Sequence, residues 1–141
     1  MSAPKEYSGV IAKMTEDEKT VVLNITSGAL ADADHTKYPW LVIIAWNYEG
    51  GDMPSKEVNA KMIALEDSID DHIAKEEHCV HAVSRTGNGL KEWEYYIRDQ
   101  DDFIGRFNEA LAGQERYPIE ITFYSDPEWK ELERFVGMLK E

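Results

Sequence analysis

One cysteine, Cys79, stands in a chain of 141 residues. It excludes an internal disulfide framework and suits a reducing compartment. Basic residues are scarce beside acidic ones: 15 Lys and Arg against 28 Asp and Glu, a formal net charge of −13. A surface this negative repels phosphate backbones and anionic lipid, which argues against direct nucleic-acid binding and polybasic membrane docking. Long apolar runs are missing too. The longest, Trp40 to Trp46, has seven residues, whereas a membrane-spanning helix takes about 20. The stretch from Met1 to Tyr7 is polar, carries only Lys5 as a base and leads into no apolar segment. No secretory signal is therefore expected, and the cytoplasm is the expected compartment. There is no internal repeat, no low-complexity tract, and no nucleophile elbow, P-loop or dinucleotide fingerprint.

What is present suffices for one domain over residues 1–141. Apolar side chains make up 43% of 16.2 kDa, and a chain of this size buries about two-thirds of its unfolded surface without staples. Residues 7–26 read as a β-hairpin: alternation from Tyr7, a polar tip over Thr15 to Lys19, then the β-branched run Thr20 to Thr26. Residues 27–38 read as a loop. Trp40 to Trp46 is apolar on both faces, as a strand covered twice must be, and Gly50-Gly51 with Pro54 ends it. Ser55 is a good N-cap for a helix of about five turns, with Val58, Met62, Leu65, Ile69 and Ile73 on one stripe. Residues 78–85 and 90–98 form two strands joined at Gly87-Asn88-Gly89, where left-handed backbone angles are tolerated. On the second of these, Trp93, Tyr95 and Ile97 share one face; Glu92, Glu94, Tyr96 and Arg98 share the other. Asp99 to Asp102 opens a helix with Ile104, Phe107 and Leu111 inward, ending at Gly113. Ile119 to Tyr124 is a last strand. Asp126-Pro127 caps a final helix lined by Trp129, Leu132, Val136 and Leu139.

After the hairpin the order is β-α-β-β-α-β plus a C-terminal helix. This predicts an α+β, ferredoxin-like antiparallel sheet with both inner helices on one face. The second face poses the question of coverage. With Leu41, Ile43 and Ala45 toward the helices, Trp40, Val42, Ile44, Trp46 and Tyr48 point away, joined by Tyr96 and Tyr124. Monomers rarely expose so large an aromatic patch. Its coverage falls to the hairpin, the terminal helix, a second copy or a partner.

The reactive side chains do not assemble by spacing into a site. On a strand His78 and His81 project to opposite faces, and neither His72, His78, His81 nor Cys79 falls into zinc-finger spacing; no metal or other cofactor is expected. Glu76 and Glu77 beside Cys79 would raise its thiol pKa, the wrong direction for a nucleophile, so no catalytic residue is expected. The carboxylates Asp70, Asp71, Glu92, Glu94, Asp99, Asp101 and Asp102 read as a solvated face or as an acidic recognition surface for a basic protein.

The Tyr38-Pro39-Trp40 entry to the apolar strand, Gly51-Asp-Met-Pro54 before an acidic amphipathic helix, Trp93-Glu-Tyr-Tyr96 and the closing Asp126-Pro-Glu-Trp129 resemble the domain-of-unknown-function 695 family, over roughly residues 7 to 136. The resemblance implies a ferredoxin-like fold and carries over no catalytic residue. The chain is also distantly similar to bacterial regulators that inhibit an endoribonuclease by binding it and to immunity proteins against toxin nucleases. The resulting expectation is a non-enzymatic binding protein, an immunity-type or regulatory inhibitor of a basic partner such as a toxin ribonuclease, contacting it through those seven carboxylates with Trp46 and Tyr96 as anchors. The alternative is a small-molecule binder or enzyme built as a dimeric barrel, its pocket lined by Trp40, Trp46, Tyr48 and Tyr96. A homodimer is compatible with both.

Overall fold

The computed structural model describes residues 10–16, 18–26, 35–75 and 78–139. Among these residues six strands form one antiparallel sheet: β1 (Val10–Glu16), β2 (Lys19–Ile25), β3 (Trp40–Asn47), β4 (Cys79–Gly87), β5 (Leu90–Ile97) and β6 (Glu120–Ser125), in the spatial order β1-β2-β4-β5-β3-β6. Among the described residues three α-helices accompany them: α1 (Lys56–Ile69), α2 (Gln100–Ala110) and α3 (Lys130–Leu139). Each inner helix begins on its predicted cap. The Ser55 hydroxyl accepts from the Val58 amide at 3.2 Å, and the Asp99 carboxylate from the Asp102 amide at 2.8 Å. These bonds satisfy amides that the first helical turn leaves orphaned.

The hairpin does not lie across the sheet. It extends the sheet sideways, with Val21 through Ile25 of β2 paired to Gly87 through Val83 of β4. Gly87 permits this pairing. Its φ is +146°, and a Cβ there would stand 2.4 Å from the Thr20 carbonyl oxygen. The β4–β5 reversal uses Asn88 (φ +50°) and Gly89 (φ +79°), so left-handed angles occur where expected.

Two cores form, one on each side of the sheet. Under α1 and α2 lie Val42, Ile44, Trp46, Trp93, Tyr95 and Ile97, packed on Met62, Leu65, Ile69, Phe103 and Phe107. On the other side Leu23, Ile25, Leu41, Ala82, Val83 and Tyr96 are covered by Tyr38, Trp129, Leu132 and Phe135. Each valine, leucine, isoleucine, methionine or phenylalanine among them, removed wholly from water, contributes roughly 1.5–3 kcal/mol. The face assignment of the central strand is thus the reverse of the expectation: Val42, Ile44 and Trp46 meet the inner helices, and Leu41 meets the terminal one. Two-fold periodicity identifies which residues share a face but not which layer covers that face.

Helix details differ from the sequence in three places. The regular α-helix ends at Ile69 and widens into one π-helical turn, Asp70–Ala74. In α2 the centre of the buried stripe is Phe103, with Phe107 and Ala110, while Ile104 is half-buried. The last helix starts at Lys130, later than Pro127, because Trp129 takes a positive φ of +55°. That backbone turn sends the indole into a stack between Tyr96 (4.2 Å) and His35 (4.4 Å).

Candidate functional site

The π turn after α1 gives the molecule its most distinctive polar site. A π turn inserts an extra residue into the helical repeat and re-aims its side chains. Here the Lys75 amide bonds to the Asp70 carbonyl at 2.8 Å, and the His78 amide to that of Ile73 at 3.0 Å. The turn is pinned further by the His72 ring, whose Nδ1 donates to the Ser68 carbonyl at 2.9 Å, and by Gln114, which donates to the Ser68 hydroxyl at 2.8 Å. The Asp70 carboxylate thereby faces the sheet. Tyr95 donates its hydroxyl to Asp70 Oδ1 at 3.0 Å, and His81 Nδ1 lies 3.4 Å from the same oxygen.

His81 and Tyr95 are cross-strand neighbours, with rings stacked at 4.4 Å. A β-bulge between His81 and Val83 turns both Ala82 and Val83 toward α3, leaving His81 on the Tyr95 side. Among the described residues, His81 Nε2 is buried without a hydrogen-bond partner. Burial, and next the charge of Asp70, raise the Tyr95 hydroxyl well above its ordinary pKa. Cys79 sits at the same end, and burial, reinforced by Asp70, pushes its thiol up. A thiol so held stays protonated, and its environment opposes nucleophilic use. The direction agrees with the sequence reading, but the cause is burial; Glu76 and Glu77 lie outside the described residues.

The start of α2 joins this end. Arg98 Nη2 donates to His78 Nδ1 at 2.6 Å and stands 3.4 Å from Asp102, whose other oxygen takes the Arg106 Nε at 3.0 Å. The Cys79 thiol senses Asp70, Arg98 and Asp102 together, which places both carboxylates around the first residue of β4. Asp70 and Asp102 thus flank one pole where the π turn, β4, β5 and α2 meet, with Asp71, Asp99 and Asp101 as their near neighbours along the chain and with Arg98 and Arg106 paired to Asp102. Asp71, Asp99 and Asp101 are exposed there.

The other four predicted contact residues lie elsewhere. Glu92 and Glu94 project from the opposite face of β5, toward α3. Glu94 is only 4% exposed. Burial, with the charges of Glu131 and Glu92 added, pushes its carboxyl up to about 8, so at neutral pH it is mostly uncharged and attracts no cation. Tyr96 and Trp46 are buried on opposite sides of the sheet, 1% and 3% exposed. An anchor must enter a partner's pocket, and both rings already fill pockets of this fold. The pocket shared by Trp40, Trp46, Tyr48 and Tyr96 does not form, because Tyr96 is across the sheet from the others. Trp46 and Tyr48 instead border an open cleft of about 550 Å³ at the far end of β3, with Ser55, Lys61 and Arg116.

Tyr95, Arg98 and His81 belong to the acidic pole and were not singled out from sequence as a group. Tyr95 is 25 residues from Asp70, and only the bulge and the π turn bring the three polar groups together. Among the described residues no set of His, Cys, Asp or Glu side chains gathers in a way that could hold a metal ion, and no helix is long and apolar enough to cross a membrane.

An antiparallel α+β protein with a helical layer on each side of its sheet and a concentrated acidic pole is the class that these features define. The chain belongs to DUF695, a family of unknown function, whose model matches residues 10–136. Neither a curated protein nor a solved structure matches it.

Proposed function

We propose that this chain is a non-enzymatic protein-binding domain, an immunity-type or regulatory inhibitor of a basic partner such as a toxin ribonuclease. The observation that carries this reading is the acidic pole, where Asp71, Asp99 and Asp101 stand exposed beside Asp70 and Asp102. A ribonuclease needs cations to hold phosphate, and a fixed array of carboxylates competes for them. Complementary charge accelerates encounter by orders of magnitude and penalises acidic partners. The net charge of −13 adds a long-range field of the same sign. Since Trp46, Tyr96 and Glu94 are buried, the contact set narrows to the pole, with Glu92 outside it.

The order β4-β5-β3-β6 within the larger sheet, with α1 and α2 on one face, supports a ferredoxin-like core extended by the hairpin and closed by α3. A cytoplasmic location is consistent with the single reduced cysteine.

Calorimetric titration of the chain with a basic ribonuclease toxin domain tests the function. Affinity should fall by about tenfold or more between roughly 0.05 and 0.3 M salt, as expected for contacts between exposed charges. The double substitution Asp71→Asn with Asp101→Asn should weaken binding by about tenfold with little change in Tm. Binding indifferent to both salt and the double substitution would contradict the reading, as would failure to bind any basic nuclease domain.

A further inference from the structure

We infer that β6 is the seam of a symmetric dimer in which two copies of this chain join their sheets edge to edge. β6 ends the sheet and pairs, among the described residues, only with β3. Such an edge offers unpaired N–H and C=O groups, and proteins that stay apart blunt it with proline, lysine or a bulge. Glu120–Ser125 has no proline, lysine or bulge, and its one charge, Glu120, stands at its first position: its sequence is EITFYS and its register against β3 runs without a shift. The opposite edge strand, β1, does carry an exposed lysine, Lys13. Tyr124, half exposed, is one of the three large hydrophobic side chains that the described surface leaves open.

The sequence of β6 selects its own copy as occupant. A two-fold axis normal to the sheet keeps α1 and α2 of both copies on one side, and it requires opposed residues to belong to the same face. Centred on Thr122, it sets Thr122 against the second copy's Thr122, Ile121 against Phe123, and Glu120 against Tyr124. The half-buried apolar pair then meets on the α1/α2 side, while a carboxylate meets a phenol on the other. Centring on Phe123 would oppose Glu120 to Asp126, two carboxylates, which like-charge repulsion disfavours. Axes within the sheet plane would pair apolar positions with polar ones. Centring on Ile121 also avoids that conflict, but within β6 it pairs only Glu120 through Thr122, whereas centring on Thr122 pairs Glu120 through Tyr124; the Thr122 register therefore makes the longer ladder, and both copies keep their acidic poles.

Light scattering coupled to gel filtration tests the seam on the purified chain at high micromolar concentration. The expected mass is twice the 16.2 kDa chain. Added salt should tighten the dimer by screening the repulsion between two acidic chains, the opposite of its effect on a basic partner, so this result and the function test fail independently. Thr122→Lys and Thr122→Glu should each give monomers with unchanged circular dichroism, because each opposes a charge to its own copy. Mixing the two variants should restore a dimer. A monomeric parent chain overturns the proposal and leaves the edge to a strand of another protein. A dimer that both variants preserve, or that their mixture does not restore, also overturns it.

Discussion

Glu94 is a carboxyl group whose surroundings argue against its charge. It lies beneath α3, near Glu131, Glu92 and Asp126, with Arg134 the one opposing influence. Its pKa rises from 4.5 to about 8, burial being the first cause. A group held protonated by the fold stabilises it fully below the unfolded pKa, and that contribution is lost as pH climbs through the folded one. Between about pH 4.5 and 8 this residue therefore makes stability fall. Glu94→Gln removes the titration at nearly constant shape. Each tenfold difference in proton affinity between the folded and unfolded chain is worth roughly 1.4 kcal/mol. Urea unfolding should therefore find the variant more stable than the parent by about 3–4 kcal/mol at pH 8, and indistinguishable near pH 4.5. A difference that does not change with pH would show that Glu94 is ionised in the folded state. Sequence placed this residue on the correct face of β5 and assigned it to a partner; which helix would close over that face is a tertiary fact that alternation does not encode.

At the scale of elements, α3 depends on a few polar contacts at its start. Asp126 accepts from Tyr96 at 2.6 Å, from Lys130 at 2.8 Å and from Glu131 at 3.0 Å. Burial alone would raise its pKa, yet these bonds hold the carboxyl below its usual range. Trp129 adds an indole N–H to the Tyr38 carbonyl at 2.9 Å. Asp126→Ala removes a helix cap and leaves the Tyr96 hydroxyl without its acceptor, a loss of about 2–3 kcal/mol. Hydrogen exchange should show the α3 amides losing protection before those of α1, whereas equal loss in both helices would mean that α3 is not a separately opening unit. The strands and helices were legible because periodicity, Ser55, Asp99 and the Asn88-Gly89 turn are local signals. The π turn, the bulge at His81 and the left-handed Trp129 were not, since each stabilises nothing by itself. Their local cost is offset only once Asp70 meets Tyr95, or Trp129 meets Tyr96, across 25 and 33 residues of chain.

For the molecule as a whole, charge is the persistent internal strain. With −13 distributed over 141 residues, self-repulsion opposes compaction. Its range shortens from about 30 Å at 0.01 M salt to about 10 Å at 0.1 M. Raising sodium chloride between those limits should therefore raise Tm by about 3 °C, equivalent to about 1 kcal/mol for a chain of this size. A Tm that stays level or drops would mean that ion pairs such as Lys61–Glu115 at 3.1 Å and Arg106–Asp102 at 3.0 Å dominate instead.

The position of α3 in chain order has a further consequence during synthesis. Every strand that this helix covers is translated before it, and translation proceeds at only about 5–20 residues per second. A growing chain can thus assemble its whole sheet and its first core while Leu41, Val83 and Tyr96 still face water. In that interval the nascent protein is a sticky, half-finished sandwich, and an early stop codon ahead of Trp129 would leave it so permanently, as a substrate for chaperones and proteases.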